Sequence, residues 1–197
     1  MGSFKFLDTT DNLLGLAPKI KAASYHGAFK YSASSKLYPH KNWSLEEIEE
    51  FHANGLVCAV VFETSNQQAH FSGATGEQDA LAIALEMQRL GFPMGLAKGG
   101  FMAYDLDVAI TQQVLDYAAA AHAVLKDHGY LAGAYGSGEL LLKLKAAGEI
   151  HYTWESQSTG FPGYSEEEPY ADIVQKLTTP LGLSGDDDIC SNLLWAW

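Results

Sequence analysis

Short, continuously apolar runs alternate along this chain with longer segments in which apolar residues recur every three or four positions. The strongest run is Leu56–Phe62, LVCAVVF. Unbroken and β-branched, it reads as a parallel strand buried on both faces. Further strands are predicted at Phe4–Leu7, Ala28–Ser32, Gly99–Tyr104, Tyr130–Tyr135, Ile150–Trp154, Ala171–Leu177 and, weakly, Asp186–Cys190. Between them lie helical spacings. Leu13, Leu16 and Ile20 form the first, with Pro18 tolerated in its opening turn. Ser44 and Glu47 form a capping-box signature before LEEIEEFHANG, where Gly55 is a natural stop. Thr75 and Gln78 suggest a second box, opening a helix with Leu81, Leu85 and Leu90 on its apolar side. A helix from about Val108 carries Ile110, Val114, Tyr117, Ala121 and Leu125 and stops at Gly129. Another carries Leu140, Leu141 and Leu144 and ends near Gly148. Ser34–Asn42, Thr64–Thr75 and Gln157–Tyr170 read as loops.

Alternation of this kind gives an α/β fold, a parallel sheet with helices outside. Eight strands favour a small closed (β/α)₈ TIM-type barrel, with little helix between the last two strands. An open doubly wound sheet is the competing architecture, but Gly133, Gly136 and Gly138 lack the spacing of a dinucleotide fingerprint. With 197 residues, the expectation is a single domain over 1–197.

In such a barrel, side chains at the C-terminal ends of strands line the active mouth. Three predicted strands end in acids: FKFLD in Asp8, VCAVVFE in Glu63 and GGFMAYD in Asp105, with Asp107 two residues on. Adjacent strands lie roughly 4.8 Å apart, so Glu63 and Asp105 are expected side by side and Asp8 roughly 10 Å from Glu63. Carboxyls held close raise one another's pKa, so one stays protonated while another stays charged. Glycosidic cleavage needs that division: one acid protonates the leaving oxygen while a carboxylate acts as base, nucleophile or cation stabiliser. Plainer roles exist. Asp107 suits a helix N-cap, Asp8 suits a turn cap, and Glu63 or Asp105 suits an ion pair with Lys30 or Lys98. Tyr135, Trp154 and Gln175 also fall near predicted strand ends, where aromatic faces suit sugar rings and an amide suits hydroxyls. The seven histidines are scattered without ligand spacing, so neither a metal nor another cofactor is expected. Ser137 lacks the nucleophile-elbow pattern.

A formal net charge of -12 argues against a nucleic-acid partner, which requires clustered Lys and Arg. No stretch is long and apolar enough for membrane insertion. The opening MGSFKFLDTTDN lacks a charged segment followed by an apolar run, so the chain is expected to be cytoplasmic as made, with delivery by lysis or a secretion system. Cys58, inside an apolar strand, reads as a buried free thiol, and Cys190 has no partner at metal-binding spacing.

FLDTTDNLLGLAPKIKAASY, HFSGATGEQDALAIALEMQRLGFP, FMAYDLD, HGYLAGAYGSG and YTWESQSTGF, in this order, resemble the glycoside-hydrolase-like family called domain of unknown function 1906. That family is similar to the family 25 lysozymes, barrel muramidases. The resemblance implies a mouth built from Asp8, Glu63 and Asp105 with Asp107 nearby. In the lysozymes strand four ends in Asp-x-Glu, whose Glu donates the proton; here it ends Asp105-Leu106-Asp107, and Glu63 is the alternative donor. The resemblance also implies substrate contacts at Tyr135, Trp154 and Gln175, a contact at Lys30, and one at Asp187 or Asp188, matching the end of the last lysozyme strand. The activity implied is cleavage of peptidoglycan glycan strands. The alternatives are a non-catalytic cell-wall carbohydrate-binding barrel and a hydrolase of another polysaccharide.

Overall fold

The computed structural model describes residues 3–32, 41–63, 65, 67–95, 98–103, 110–160, 171–178 and 180–197. Eight strands close into a barrel in chain order: β1 (Phe4–Thr9), β2 (Gly27–Tyr31), β3 (Val57–Phe62), β4 (Gly99–Ala103), β5 (Leu131–Gly136), β6 (Tyr152–Glu155), β7 (Ile173–Lys176) and β8 (Gly185–Cys190). Outside lie α1 (Ala17–Ala22), α2 (Leu45–Ala53), α3 (Gly73–Arg89), α4 (Gln112–Asp127) and α5 (Gly138–Ala147). The expected TIM-type barrel is therefore the fold. The expected loops over 34–42 and 157–170 fall largely outside the described residues.

Strands β1 to β7 run parallel, but β8 is antiparallel to both β7 and β1. The uniformly parallel sheet expected from sequence thus fails at the last strand. The reason is connection length. A parallel return needs a crossover of roughly a dozen residues or more, usually a helix. Only 177–184, containing a 3₁₀ turn at Pro180–Gly182, joins β7 to β8. So short a link reverses the chain, and β8 presents its N-terminal end to the mouth.

Side-chain alternation divides two cores. Leu7, Ala28, Cys58, Val60 and Phe62 face outward under the helices. Phe6, Phe29, Ala59, Val61, Phe101 and Trp154 face inward and fill the barrel. Phe29 stacks between Trp154, at 4.1 Å between centroids, and Trp195, at 5.0 Å. Such ring pairs each contribute about 0.5–1.5 kcal/mol beyond area burial. Gly133 makes room for them, since a Cβ there would lie 2.5 Å from Cδ1 of Phe101. Trp195, fully buried, comes from the segment after β8, and its carbonyl accepts a bond from the Gly99 N–H at 3.1 Å. Both cysteines are free and buried.

The helices differ from expectation in detail. Ser44 and Glu47 do form a capping box. The second box is Ser72 with Thr75, not Thr75 with Gln78. Leu81 and Leu85 on α3 are exposed; its inner face is Gly76, Ala80, Ile83, Ala84 and Met87. Small residues prevail there because α4 packs close: a Cβ at Gly76 would sit 2.3 Å from the Tyr117 carbonyl oxygen. Reading the periodicity from large residues alone misses a face made of small ones. Helix α4 starts at Gln112 with Thr111 as N-cap, so the capping position foreseen for Asp107 belongs to Thr111.

One buried ion pair joins the first two strand–helix units. Lys30, on the outer face of β2, meets Glu47 of α2 at 2.5 Å, with both side chains almost wholly buried. Glu47 also accepts from the Leu13 N–H at 2.7 Å and the Ser44 N–H at 2.8 Å. Burial pushes the Lys30 ammonium below its ordinary value, and Glu47 opposes that drop. Removing one member of such a pair strands the other charge in the interior. Glu47→Ala is expected to cost about 3–5 kcal/mol in urea unfolding, and adding Lys30→Met to recover much of that loss.

Candidate functional site

The mouth of the barrel holds a cavity of about 280 Å³. Because β1 to β7 point upward and β8 downward, every strand or its first flanking residue contributes a side chain. Asp8 comes from β1, Tyr31 from β2, Glu63 from just beyond β3 and Ala103 from β4. Tyr135, Trp154, Gln175 and Asp186 come from β5, β6, β7 and β8. Asp8 and Glu63, foreseen from strand ends, share this one hollow. Asp105 and Asp107 lie outside the described residues. Neither lysine named as an alternative partner for Glu63 binds it: Lys30 is committed to Glu47, and Lys98 donates to the carbonyls of Leu194 and Ala196.

Three acids and an amide share the inner face of the wall between β7 and β1. In register, Asp8 faces Asp186 across the β1–β8 pair, and Gln175 faces Asp188 across β7–β8. Gln175 Nε2 donates to Asp8 Oδ2 and Asp186 Oδ2, both at 3.3 Å. Two oxygens at that distance from one nitrogen lie no farther apart than twice it. The Tyr135 hydroxyl donates to Gln175 Oε1 at 3.1 Å and lies 2.9 Å from Ser156 Oγ. The tyrosine thus fixes the amide orientation, and the amide holds two carboxylates together. Asp187, on the opposite face of β8, is bound outside the barrel by Lys5 at 3.1 Å and by the Tyr25 hydroxyl.

Two expectations, those for Lys30 and Asp188, need correction. Lys30 is buried under α2, on the outward face of its strand, and does not reach the cavity. Trp154 is only 2% exposed. Its indole is stacked on Phe29, and Trp154 lines the cavity as expected of a strand-end residue. Asp188 is wholly buried. Its Oδ1 accepts the Trp154 Nε1–H at 2.8 Å, so it is not a substrate contact. Burial, reinforced by Asp8, pushes the Asp188 carboxyl well above its ordinary value; the Trp154 bond opposes the shift.

Asp186 and Tyr31 are among the cavity residues that strand-end reasoning missed. Both were accessible through period-two alternation. Asp186 shares a face with Asp188, and Tyr31 shares one with Phe29. The resemblance directed attention to Asp187 or Asp188 rather than to Asp186, at the mouth end of β8.

Below the mouth, polar contacts brace its loops. His70, after β3, bonds Asp79 of α3 at 2.7 Å, and the Tyr117 hydroxyl of α4 donates to the same oxygen at 2.8 Å. Gln68 donates to Thr111, the α4 N-cap, at 3.0 Å. Among the described residues, no group of three or more His, Cys, Asp or Glu is arranged for a metal ion. No helix of these residues is long and apolar enough to cross a membrane.

An acid-lined hollow at the open end of a small eight-stranded barrel defines a glycoside-hydrolase-like domain. Residues 18–178 match the family of Rv2525c-like, glycoside hydrolase-like domains, and the chain belongs to that family. No curated protein matches it in sequence. Among solved structures it is similar to the Mycobacterium tuberculosis Tat-secreted protein Rv2525c, with TM-score 0.74, 16% identity, and 95% of this chain and 94% of that one covered. A B. stearothermophilus protein matches with TM-score 0.72 and 15% identity, over 98% of this chain and 100% of that one. The catalytic domain of endolysin ply40 from bacteriophage P40 of Listeria monocytogenes matches with TM-score 0.61 and 14% identity, over 98% and 96%. The expectation of a cytoplasmic chain is corrected here: the similar Rv2525c is a Tat-secreted protein. That expectation rested on the first twelve residues, whereas the route a domain takes is not written in its barrel.

Tyr135→Phe should cost about 1 kcal/mol, the usual value of one hydrogen bond, by chemical denaturation. A double-mutant cycle with Gln175→Leu should return a coupling of about 0.5 kcal/mol or more, because the two side chains form one network.

Proposed function

We propose that this domain hydrolyses a glycosidic bond of a cell-wall glycan, with peptidoglycan strands the favoured substrate. The observation that carries the reading is the shared cavity, which brings Asp8, Glu63 and Asp186 from distant parts of the chain to one hollow. Hydroxyls of Tyr31 and Tyr135 and the acids supply hydrogen-bond partners for sugar, and Val61 and Ala103 supply an apolar floor.

The roles follow from placement. Glu63, on the longer side chain and two strands from Asp8, protonates the leaving oxygen. Asp8, held beside Asp186 by Gln175, faces the cationic centre that develops as the bond breaks, or activates the attacking water. Asp105 and Asp107 join this set through the family likeness alone. The phage endolysin domain of similar fold supports a wall substrate, and the exported relative supports a place where such a substrate is met.

Purified protein incubated with bacterial walls should release soluble muropeptides and lower turbidity. Glu63→Gln, Asp8→Asn and Asp105→Asn are each expected to reduce that rate by about 10²-fold or more, the usual contribution of a positioned acid or base. Full activity in both Glu63→Gln and Asp105→Asn would rule out this assignment. Glycan retained on the protein without cleavage would instead assign a binding barrel.

A further inference from the structure

Of the carboxyls on β8, Asp188 has the environment least suited to a charge. Asp186 opens on the cavity, and Asp187 faces out to Lys5. Asp188 lies one layer below Asp186 inside the barrel, opposite Phe6 on β1 and Gln175 on β7, with no exposed surface. Its Oδ1 takes the Trp154 indole N–H, while its buried Oδ2 has no hydrogen-bond partner among the described residues. The charged groups that act on it are Asp8 from β1 and Asp186 and Asp187 from its own strand; β6 and β7 present the neutral Trp154 and Gln175. Below it on β8 lies the Cys190 thiol, which burial also raises. An ionised carboxylate here would have one dry, unpaired oxygen and only like charges around it.

We propose that Asp188 is a positioning residue that works as an uncharged acid, anchoring the Trp154 indole beneath the cavity. Trp154 is the link to the mouth. Its ring meets Tyr135 at 4.9 Å between centroids, and Tyr135 orients Gln175, which spans the two upper acids. Asp188 therefore acts through its neighbours. The role does not depend on the cavity's being catalytic.

An acid whose pKa is raised on folding keeps a proton that the unfolded chain releases. Its native form is then relatively most stable below the ordinary value of 3.8, and that stability is lost as pH rises toward the folded value. Asp188→Asn mimics the uncharged acid and keeps an oxygen for the indole, but cannot release a proton. The test is thermal unfolding of the full chain from pH 4 to pH 8, with the Trp154 indole N–H followed by NMR. The melting temperature of Asp188→Asn, relative to wild type, should rise with pH across this range and exceed wild type by a few degrees at pH 8. Its indole resonance should stay near the wild-type position, whereas Asp188→Leu should shift or broaden it. A difference between Asp188→Asn and wild type that does not change with pH, or wild type gaining on the variant toward pH 8, would overturn the proposal. So would an unchanged indole resonance in Asp188→Leu; if that variant fails to fold, the Asp188→Asn comparison decides alone. Neither readout needs turnover, so a failed hydrolase assay leaves this test intact.

Discussion

The closure of the barrel by a reversed strand governs the rest of the structure. β8 pairs antiparallel with β1 over six residues, Phe4 with Cys190 through Thr9 with Gly185, and with β7 on its other side. This pairing seals the sheet and removes both of its edges, which would otherwise be exposed to pairing with other chains. It also turns the start of β8 toward the mouth. Asp186 thereby stands opposite Asp8, and the later carboxyl of the strand is carried down into the dry interior.

The interior shows how such a small barrel remains solid. The aromatic rings of Phe6, Phe29, Phe101, Trp154 and Trp195 interlock across it, fitted around glycine positions where no Cβ has room. Two polar clusters are admitted with their partners. Lys30 is buried against Glu47, and the Asp79 carboxylate collects His70 and the Tyr117 hydroxyl. These buried contacts lie around the barrel rather than in its mouth. They fix the loops after β1 and β3, which hold Asp8 and Glu63 in place.

One chemical type, the carboxyl, serves several purposes within a few ångströms. Glu47 is structural, Asp187 secures the outside of the barrel, and Asp8 with Asp186 forms a pair held by an amide. What separates them is the face of the strand each occupies and the depth to which it is buried. The family match fixes the domain type, while the chemistry performed depends on the acids in the hollow.

The order of strands and helices was legible in the sequence because each element carries its own local signal: the apolar run of β3, the capping box at Ser44 and Glu47, the stop at Gly148. Asp8 and Glu63 were legible for the same reason, as acids closing apolar strands. Local signals do not encode strand direction, so the reversal of β8, and with it the roles of Asp186 and Asp188, emerged only once the chain closed. Nor do they report what covers a side chain. Lys30 resembles a cleft residue in sequence, and it became buried because α2, packed over its strand, took the surface that a ligand would have needed.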